Sequence, residues 1–258
     1  MTDLFRLDDA TAVLTGASGW LGAAMVDALH DAGATVHALG RDTTRLRDAL
    51  GELADSPRVQ LHAIDVTTNA WPALLESLPR IDVLVNNAHV GRGGSMRTAT
   101  DDNFDEAFEL AVKAAWRGMT AARAGLAASV AAGGSPAVIN VASMYGLVAP
   151  DMTMYATEEG RNPPFYGAAK AALLQLSRYA AAELGPEGIR VNAITPGPFP
   201  ALAAQANGEF VQALKDHTLT GTVGAPEDIK TALLFLASPH SRFVTGANIV
   251  VDGGWTAR

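Results

Sequence analysis

No cysteine occurs in the chain. That excludes disulfides, thiolate metal sites and a cysteine nucleophile, and it fits a reducing compartment. No apolar stretch approaches the roughly 18 residues that a membrane span needs. The first nine residues, Met1 to Asp9, carry acids and lack the apolar core of a secretory signal. Positive charge is the scarcer sign. Nineteen Lys and Arg face 27 Asp and Glu, a net charge of −8, which argues against a nucleic-acid surface. Runs of like charge, internal repeats and low-complexity linkers are missing too. These absences predict a soluble, cytoplasmic protein whose partner is a small molecule, not a nucleic acid or a membrane, and they predict no metal.

What is present is a large apolar fraction, 48% against 18% charged, enough to bury a full core. Strand-like runs alternate with helix-like segments along the chain: Thr11–Thr15, Thr35–Leu39, Val59–Ile64, Ile81–Val85, Ala137–Ala142, Arg190–Ile194 and Asn248–Val251. Most are nearly continuous in Val, Ile, Leu and Ala, so they should be buried on both faces. This alternation predicts an α/β fold with a parallel sheet covered by helices on both sides. With no break in composition, one domain spanning residues 1–258 is the simpler expectation.

The chain is organised around Ala12 to Gly22, where a short apolar run meets Gly16, Gly19 and Gly22 and then an amphipathic run. Gly16 permits a tight turn, Gly19 lets backbone approach a ligand, and Gly22 lets helix pack close to strand. The N–H groups at the helix start suit an anion such as a pyrophosphate. Alone, the same residues also fit a plain strand-to-helix turn. Roughly 20 residues further on, a dinucleotide-binding unit carries an acid for the adenosine ribose. Here Gly40 holds that place and Arg41 follows. A guanidinium suits a 2′-phosphate, so NADP(H) is favoured over NAD(H). Asp42 next door could pair with Arg41 and blunt the preference. Asp65 and Val66 end the third run, where an acid can accept from an adenine amino group or simply cap a helix. Asn86 and Asn87 end the fourth, and either could bridge strand backbone.

Taken in order, these motifs resemble the short-chain dehydrogenase/reductase family. The glycine turn, Asp65-Val66, Asn86-Asn87-Ala88, Ser143, the pair Tyr166 and Lys170, Asn192, Pro196-Gly197 and Val251-Asp252-Gly253-Gly254 carry the resemblance. It covers about Phe5 to Trp255. It implies a Rossmann-type, doubly wound sheet of seven parallel strands and a bound nicotinamide cofactor. It also implies hydride transfer between an alcohol and a carbonyl, and assembly as a homodimer or homotetramer. By resemblance Tyr166 is the general acid or base, Lys170 tunes it and binds ribose, and Ser143 orients the substrate. Residues four apart share a helix face, and an ammonium beside a phenol favours the phenolate. The resemblance assigns the cofactor to Gly16, Ser18, Gly19, Trp20, Leu21, Arg41, Asp65, Val66, Asn87, Ala88, Tyr166, Lys170, Pro196, Gly197 and Phe199. Tyr155 competes for the tyrosine role, but Glu159 four residues on disfavours a phenolate there.

Three residues depart from the family pattern. Trp20 stands where short members place the middle glycine. His89 stands where a glycine commonly follows Asn-Asn-Ala, either bordering the nicotinamide pocket or on a surface loop. Ala111 replaces an asparagine that holds a proton-relay water, a loss that Lys113 or a shifted water would have to offset. The last departure keeps two alternatives open: a non-redox enzyme with a retained cofactor, or a cofactor-binding regulator. Ser143 and Tyr166 lie unusually far apart for a short member. The extra piece, 147–165, is polar and should line the substrate pocket, hinting at a sugar acid, polyol or keto compound. The segment 198–217, led by Pro198-Phe199-Pro200, reads as a movable lid. The small-residue faces of Asp101–Ala132 and Tyr166–Leu184 suggest a subunit interface.

Overall fold

The computed structural model describes residues 4–89 and 91–257. Seven strands form one sheet: β1 (Thr11–Thr15), β2 (Thr35–Gly40), β3 (Val59–Ala63), β4 (Val83–Asn86), β5 (Ala137–Val141), β6 (Arg190–Pro196) and β7 (Asn248–Val251). Their order is β3-β2-β1-β4-β5-β6-β7, and every pairing is parallel. This is the doubly wound Rossmann-type α/β sheet. All of β4, β5 and β6 is buried, as their apolar runs require, whereas the edge strands β3 and β7 are partly exposed. The chain changes winding direction between β1 and β4. Ligands bind such sheets at that crevice, beyond the carboxyl ends of the strands.

The helices are α1 (Trp20–Asp31), α2 (Thr43–Leu50), α3 (Ala70–Ser77), α4 (Asp101–Phe108), α5 (Ala114–Ala131), α6 (Pro164–Leu184), α7 (Leu202–Gln205), α8 (Gly208–His217) and α9 (Asp228–Ala237). On one face of the sheet α1 and α9 bury Met25, Val26, Leu29, Leu233 and Leu236. On the other, α3, α5 and α6 bury Trp71, Leu75, Leu126 and Leu184. None of the described helices is long and apolar enough to cross a membrane.

Four differences from the sequence expectation exceed a single residue at a strand end. The run Ile81–Val85 starts its strand only at Val83; just before it the Asp82 carboxylate accepts from Thr11 N–H at 2.9 Å and from Ser129 Oγ at 2.5 Å. β6 runs on through Pro196, since its edge still pairs with β7. The helix expected from Asp101 is not continuous. One π turn, Glu109–Lys113, joins α4 to α5 and contains Ala111. Finally, the loop 147–165 ends two residues early. Pro164 supplies a first-turn position that needs no N–H, which puts Tyr166 in the first turn of α6.

Two histidines on neighbouring strands, His37 and His62, stack and share a hydrogen bond of 3.0 Å between Nδ1 and Nε2. Burial, and then His62, pull the His37 pKa down to about 4. The unfolded chain therefore binds the extra proton more readily between that value and the ordinary one near 6.5. Stability is full above about pH 6.5 and falls as the pH drops through this window. Going from pH 7 to pH 4.5 costs about 2 kcal/mol at this site, at 1.36 kcal/mol per unit with an allowance for solvent at the ring edges. Urea melts at the two pH values should show that loss in the wild type and a smaller one in His37→Leu. Equal losses would remove His37 as the cause.

Candidate active site

The glycine turn fits a dinucleotide on its own geometry. Gly16 has φ +70°, which side chains avoid. A Cβ on Gly22 would lie 2.0 Å from the Gly16 carbonyl oxygen, so α1 sits too close to the turn for any other residue. No side chain caps α1 at Gly19, which leaves its first N–H groups for an anion in the cleft. Asn87 holds the turn from the side: its Nδ2 donates to the carbonyls of Thr15 and Gly16, each at 3.1 Å. Asn86 turns inward instead, donating to Asn140, which donates to Ser177. Both asparagines are thus engaged within the protein.

Two cavities flank this turn. The smaller, about 140 Å³, is lined by Gly16, Ser18, Gly19, Arg41, Asp65, Val66, Ala88 and His89. Thr67 donates to Asp65 from both its backbone and its hydroxyl, which with nearby Arg41 holds the carboxyl below its usual range. Asp42 does not pair with Arg41 here. Its carboxylate caps α2, accepting from Arg45 N–H at 2.9 Å. The second cavity, about 220 Å³, is lined by Gly19, Trp20, Leu21, Asn87, His89, Ser143, Tyr166, Lys170, Pro196, Gly197 and Phe199. Each residue expected at the site lines one or other of these two cavities, which share Gly19 and His89. Trp20 forms part of the second cavity's wall.

Ser143 is buried at the end of β5, and its Oγ accepts from Tyr145 N–H at 3.2 Å. Burial raises the Tyr166 pKa, and the Ser143 hydroxyl opposes that rise by bonding the phenol. Lys170 is 2% exposed, and its Nζ donates to the Val141 carbonyl at 2.6 Å. It sits over the Tyr166 ring, 5.8 Å from the centroid, and burial lowers its pKa to about 8. The ammonium thus lies beside the phenol while one of its protons is held by a strand carbonyl. Lys113 cannot stand in for the absent asparagine. It faces outward and pairs with Glu109 at 2.8 Å. Ala111 is buried among Ala107, Phe165 and Ala169.

Ser143 and Tyr166 also face a third, wider cavity of about 460 Å³, with Arg92, Tyr145, Tyr155, Glu159, Arg161, Asn162, Phe199, Phe210 and Leu214. Residues of both the 147–165 and the 198–217 segments therefore line this cavity. Tyr155 lines it as a residue of the insert, bonded to the Tyr145 hydroxyl at 3.1 Å and facing the Phe210 ring. Tyr145 and Arg92 were not legible as pocket residues. The signal for Tyr145 was its place two residues after Ser143; Arg92 carries none. The insert is anchored where Ser95 and Arg97 bond Glu158 and where Gly94 N–H donates to the Arg161 carbonyl. The lid is latched to it by His217 Nε2 and Asp151 Oδ2 at 2.9 Å, with the His217 ring stacked on Trp255.

A family model described as enoyl-(acyl carrier protein) reductase matches residues 16–256. Galactitol 2-dehydrogenase (L-tagatose-forming) of Cereibacter sphaeroides is 32% identical, covering 98% of this chain and 97% of its own. A gluconate 5-dehydrogenase of Burkholderia cenocepacia, solved with NADP and tartrate, is 26% identical with a TM-score of 0.83. It covers 99% of this chain and 98% of that one. A short-chain dehydrogenase of Leptospira borgpetersenii with bound NAD+ is 25% identical with a TM-score of 0.85, covering 99% and 96%. With the cleft and the doubly wound sheet already in place, this chain belongs to the short-chain dehydrogenase/reductase family of nicotinamide-dependent oxidoreductases.

Proposed function

We propose that this oxidoreductase interconverts an alcohol and a carbonyl on a polar small molecule such as a polyol, sugar acid or keto compound, with NADP(H) preferred. One observation carries the reading. Ser143 and Tyr166 line both the cavity beside the glycine turn and the polar cavity formed by the insert and lid. The galactitol and gluconate dehydrogenases among the similar proteins support a polar substrate.

In this reading the turn at Gly16–Leu21, the cavity with Arg41 and Asp65, and the segment Pro196–Phe199 hold the dinucleotide. A bound nicotinamide supplies the hydride donor or acceptor. Ser143 donates to the substrate oxygen and holds it at Tyr166. Tyr166 takes the hydroxyl proton in oxidation and returns it to the carbonyl oxygen in reduction. Lys170 is a buried cation beside them. It stabilises negative charge that develops on the phenol and the substrate oxygen, and it offers donors to a ribose hydroxyl. The hydroxyls of Tyr145 and Tyr155, the Asn162 amide and the Arg161 guanidinium supply polar contacts for the rest of the substrate. We expect a homodimer or homotetramer, supported by the apolar Trp116 and Tyr179 left exposed on α5 and α6.

The test is a spectrophotometric screen of galactitol, D-gluconate and 5-keto-D-gluconate with each oxidised or reduced nicotinamide. Turnover of at least one is expected; binding of cofactor with no turnover on polyols, sugar acids or ketones would overturn the reading. Arg41→Ala should weaken NADPH by about tenfold, roughly one charge-assisted hydrogen bond, and change NADH little. Titrations followed by nicotinamide fluorescence measure both. An equal loss for the two would remove Arg41 as the source of preference.

A further inference from the structure

The cavity that Ser143 and Tyr166 share with the 147–165 and 198–217 segments holds a pair of phenols outside the Ser143, Tyr166 and Lys170 set. Tyr145 Oη lies 3.1 Å from Tyr155 Oη, and both residues line that cavity. Tyr145 belongs to the turn after β5 and is fixed against α6. A Cβ on Gly167, the residue after Tyr166, would lie 2.6 Å from the Tyr145 carbonyl oxygen. One on Gly146 would lie 2.9 Å from the Ala171 nitrogen. The Tyr145 N–H also donates to Ser143 Oγ. The turn cannot slide along the helix, so the Tyr145 ring keeps its place beside Ser143 and Tyr166. Tyr155 is braced by the Phe210 ring, with centroids 5.8 Å apart, and its oxygen accepts from the Asn162 backbone N–H. That bond leaves the Tyr155 O–H for Tyr145, and the Tyr145 O–H for the cavity.

We propose that Tyr145, oriented by Tyr155, selects for a hydroxyl close to the reacting carbon. The substrates are then diols and polyols in oxidation, and hydroxyketones in reduction, rather than simple alcohols and ketones. Ser143 and Tyr166 hold the reacting oxygen, and Tyr145 donates to the second one. A substrate that lacks this hydroxyl leaves the phenol pair without its partner, and a site built to bond a hydroxyl discriminates against the analogue without it.

The surroundings fit a donor that never titrates. Burial, and then the bond to Tyr155 with Tyr155, Tyr166 and Asp151 nearby, raise the Tyr145 pKa above the ordinary phenol range. Tyr145 therefore keeps its proton and takes no part in the proton transfer at Tyr166. The charged residues on this wall, Arg92, Glu159 and Arg161, are of both signs, and Arg92 is bonded to Glu106 through Nε at 2.8 Å. The uncharged phenol pair is the feature of the wall suited to a neutral hydroxyl.

This inference rests on the dehydrogenase reading, and its test separates the two. With NADP+, the oxidation of 2-butanol is compared with that of 2,3-butanediol and 1,3-butanediol, which add one hydroxyl to the same carbon chain. For the wild type, kcat/KM of the better diol should exceed that of 2-butanol by about tenfold or more. Tyr145→Phe, which removes one oxygen, should reduce this ratio about tenfold. The ratio is measured within one preparation, so it does not depend on how much of a variant is active. Tyr155→Phe should lower it in the same direction, and the double variant should fall no further than Tyr145→Phe alone. No preference for either diol in the wild type, or an unchanged ratio in Tyr145→Phe, would overturn the proposal. So would additive losses in the double variant, which would give Tyr155 a substrate contact of its own. Galactitol turnover with neither diol oxidised would overturn it as well. A wild type inactive on every polyol, sugar acid, alcohol and ketone would instead sink the dehydrogenase reading, and this inference with it.

Discussion

Tyr166→Phe lowers kcat/KM by about 10²- to 10⁴-fold, the range of a lost general acid or base, and leaves cofactor affinity near the wild-type value. The substitution removes one oxygen and keeps the ring. The packing of that ring against His89 and beneath the Lys170 ammonium is therefore retained, and a collapse of the site is not the cause of the loss. At 1.36 kcal/mol per tenfold, the effect corresponds to about 3–5 kcal/mol of transition-state stabilisation. Ser143 then has no phenol to bond, but it still offers its hydroxyl to the substrate, so the expected change in KM is small. Steady-state kinetics and a cofactor titration on the same preparation decide it. Full activity in Tyr166→Phe would overturn the assigned mechanism.

Gly22→Ala should destabilise the cofactor-free protein by about 3 kcal/mol, the upper end of overpacking, and weaken either nicotinamide strongly. The added Cβ would lie 2.0 Å from the Gly16 carbonyl oxygen, 2.9 Å from its carbon and 3.1 Å from Ala17 Cα. All three are backbone atoms, so no side chain can rotate away. Relief requires α1 to move off the turn, and that movement misaligns the N–H groups that would meet a pyrophosphate. Gly19→Ala makes the comparison: its Cβ meets only the Gly16 oxygen, at 3.2 Å, so its stability loss should be much smaller. Denaturant melts and cofactor titrations of the two variants test the ranking. A Gly22→Ala protein as stable as the wild type would refute the packing argument.

The parallel sheet was legible because most of its strands are apolar on both faces, a pattern that survives without knowledge of neighbours; its doubly wound arrangement was legible only through the family resemblance. The cleft was legible because its turn needs glycines at fixed spacing and its helix needs Tyr166 and Lys170 on one face. Several features were not legible because they depend on distant partners. The direction of the Lys170 ammonium is set by the Val141 carbonyl, 29 positions away. The break between α4 and α5 falls in an Ala-rich stretch whose residues suit a continuous helix; nothing in Glu109–Lys113 marks a π turn. Trp71, buried against Gly118, donates from its indole to the Ala114 carbonyl just past that turn at 3.0 Å. That contact links residues 43 positions apart. The substrate wall was read as polar from its composition, but which of its side chains face the cavity required the fold.

The contact between His217 and Asp151 joins two segments that the chain keeps far apart, the lid and the insert. On the proposed function, a substrate that enters by displacing α8 must break this contact, so the two segments would open together and product release would be set from both sides at once. Widening the range of accepted molecules would then call for redesigning the two segments together.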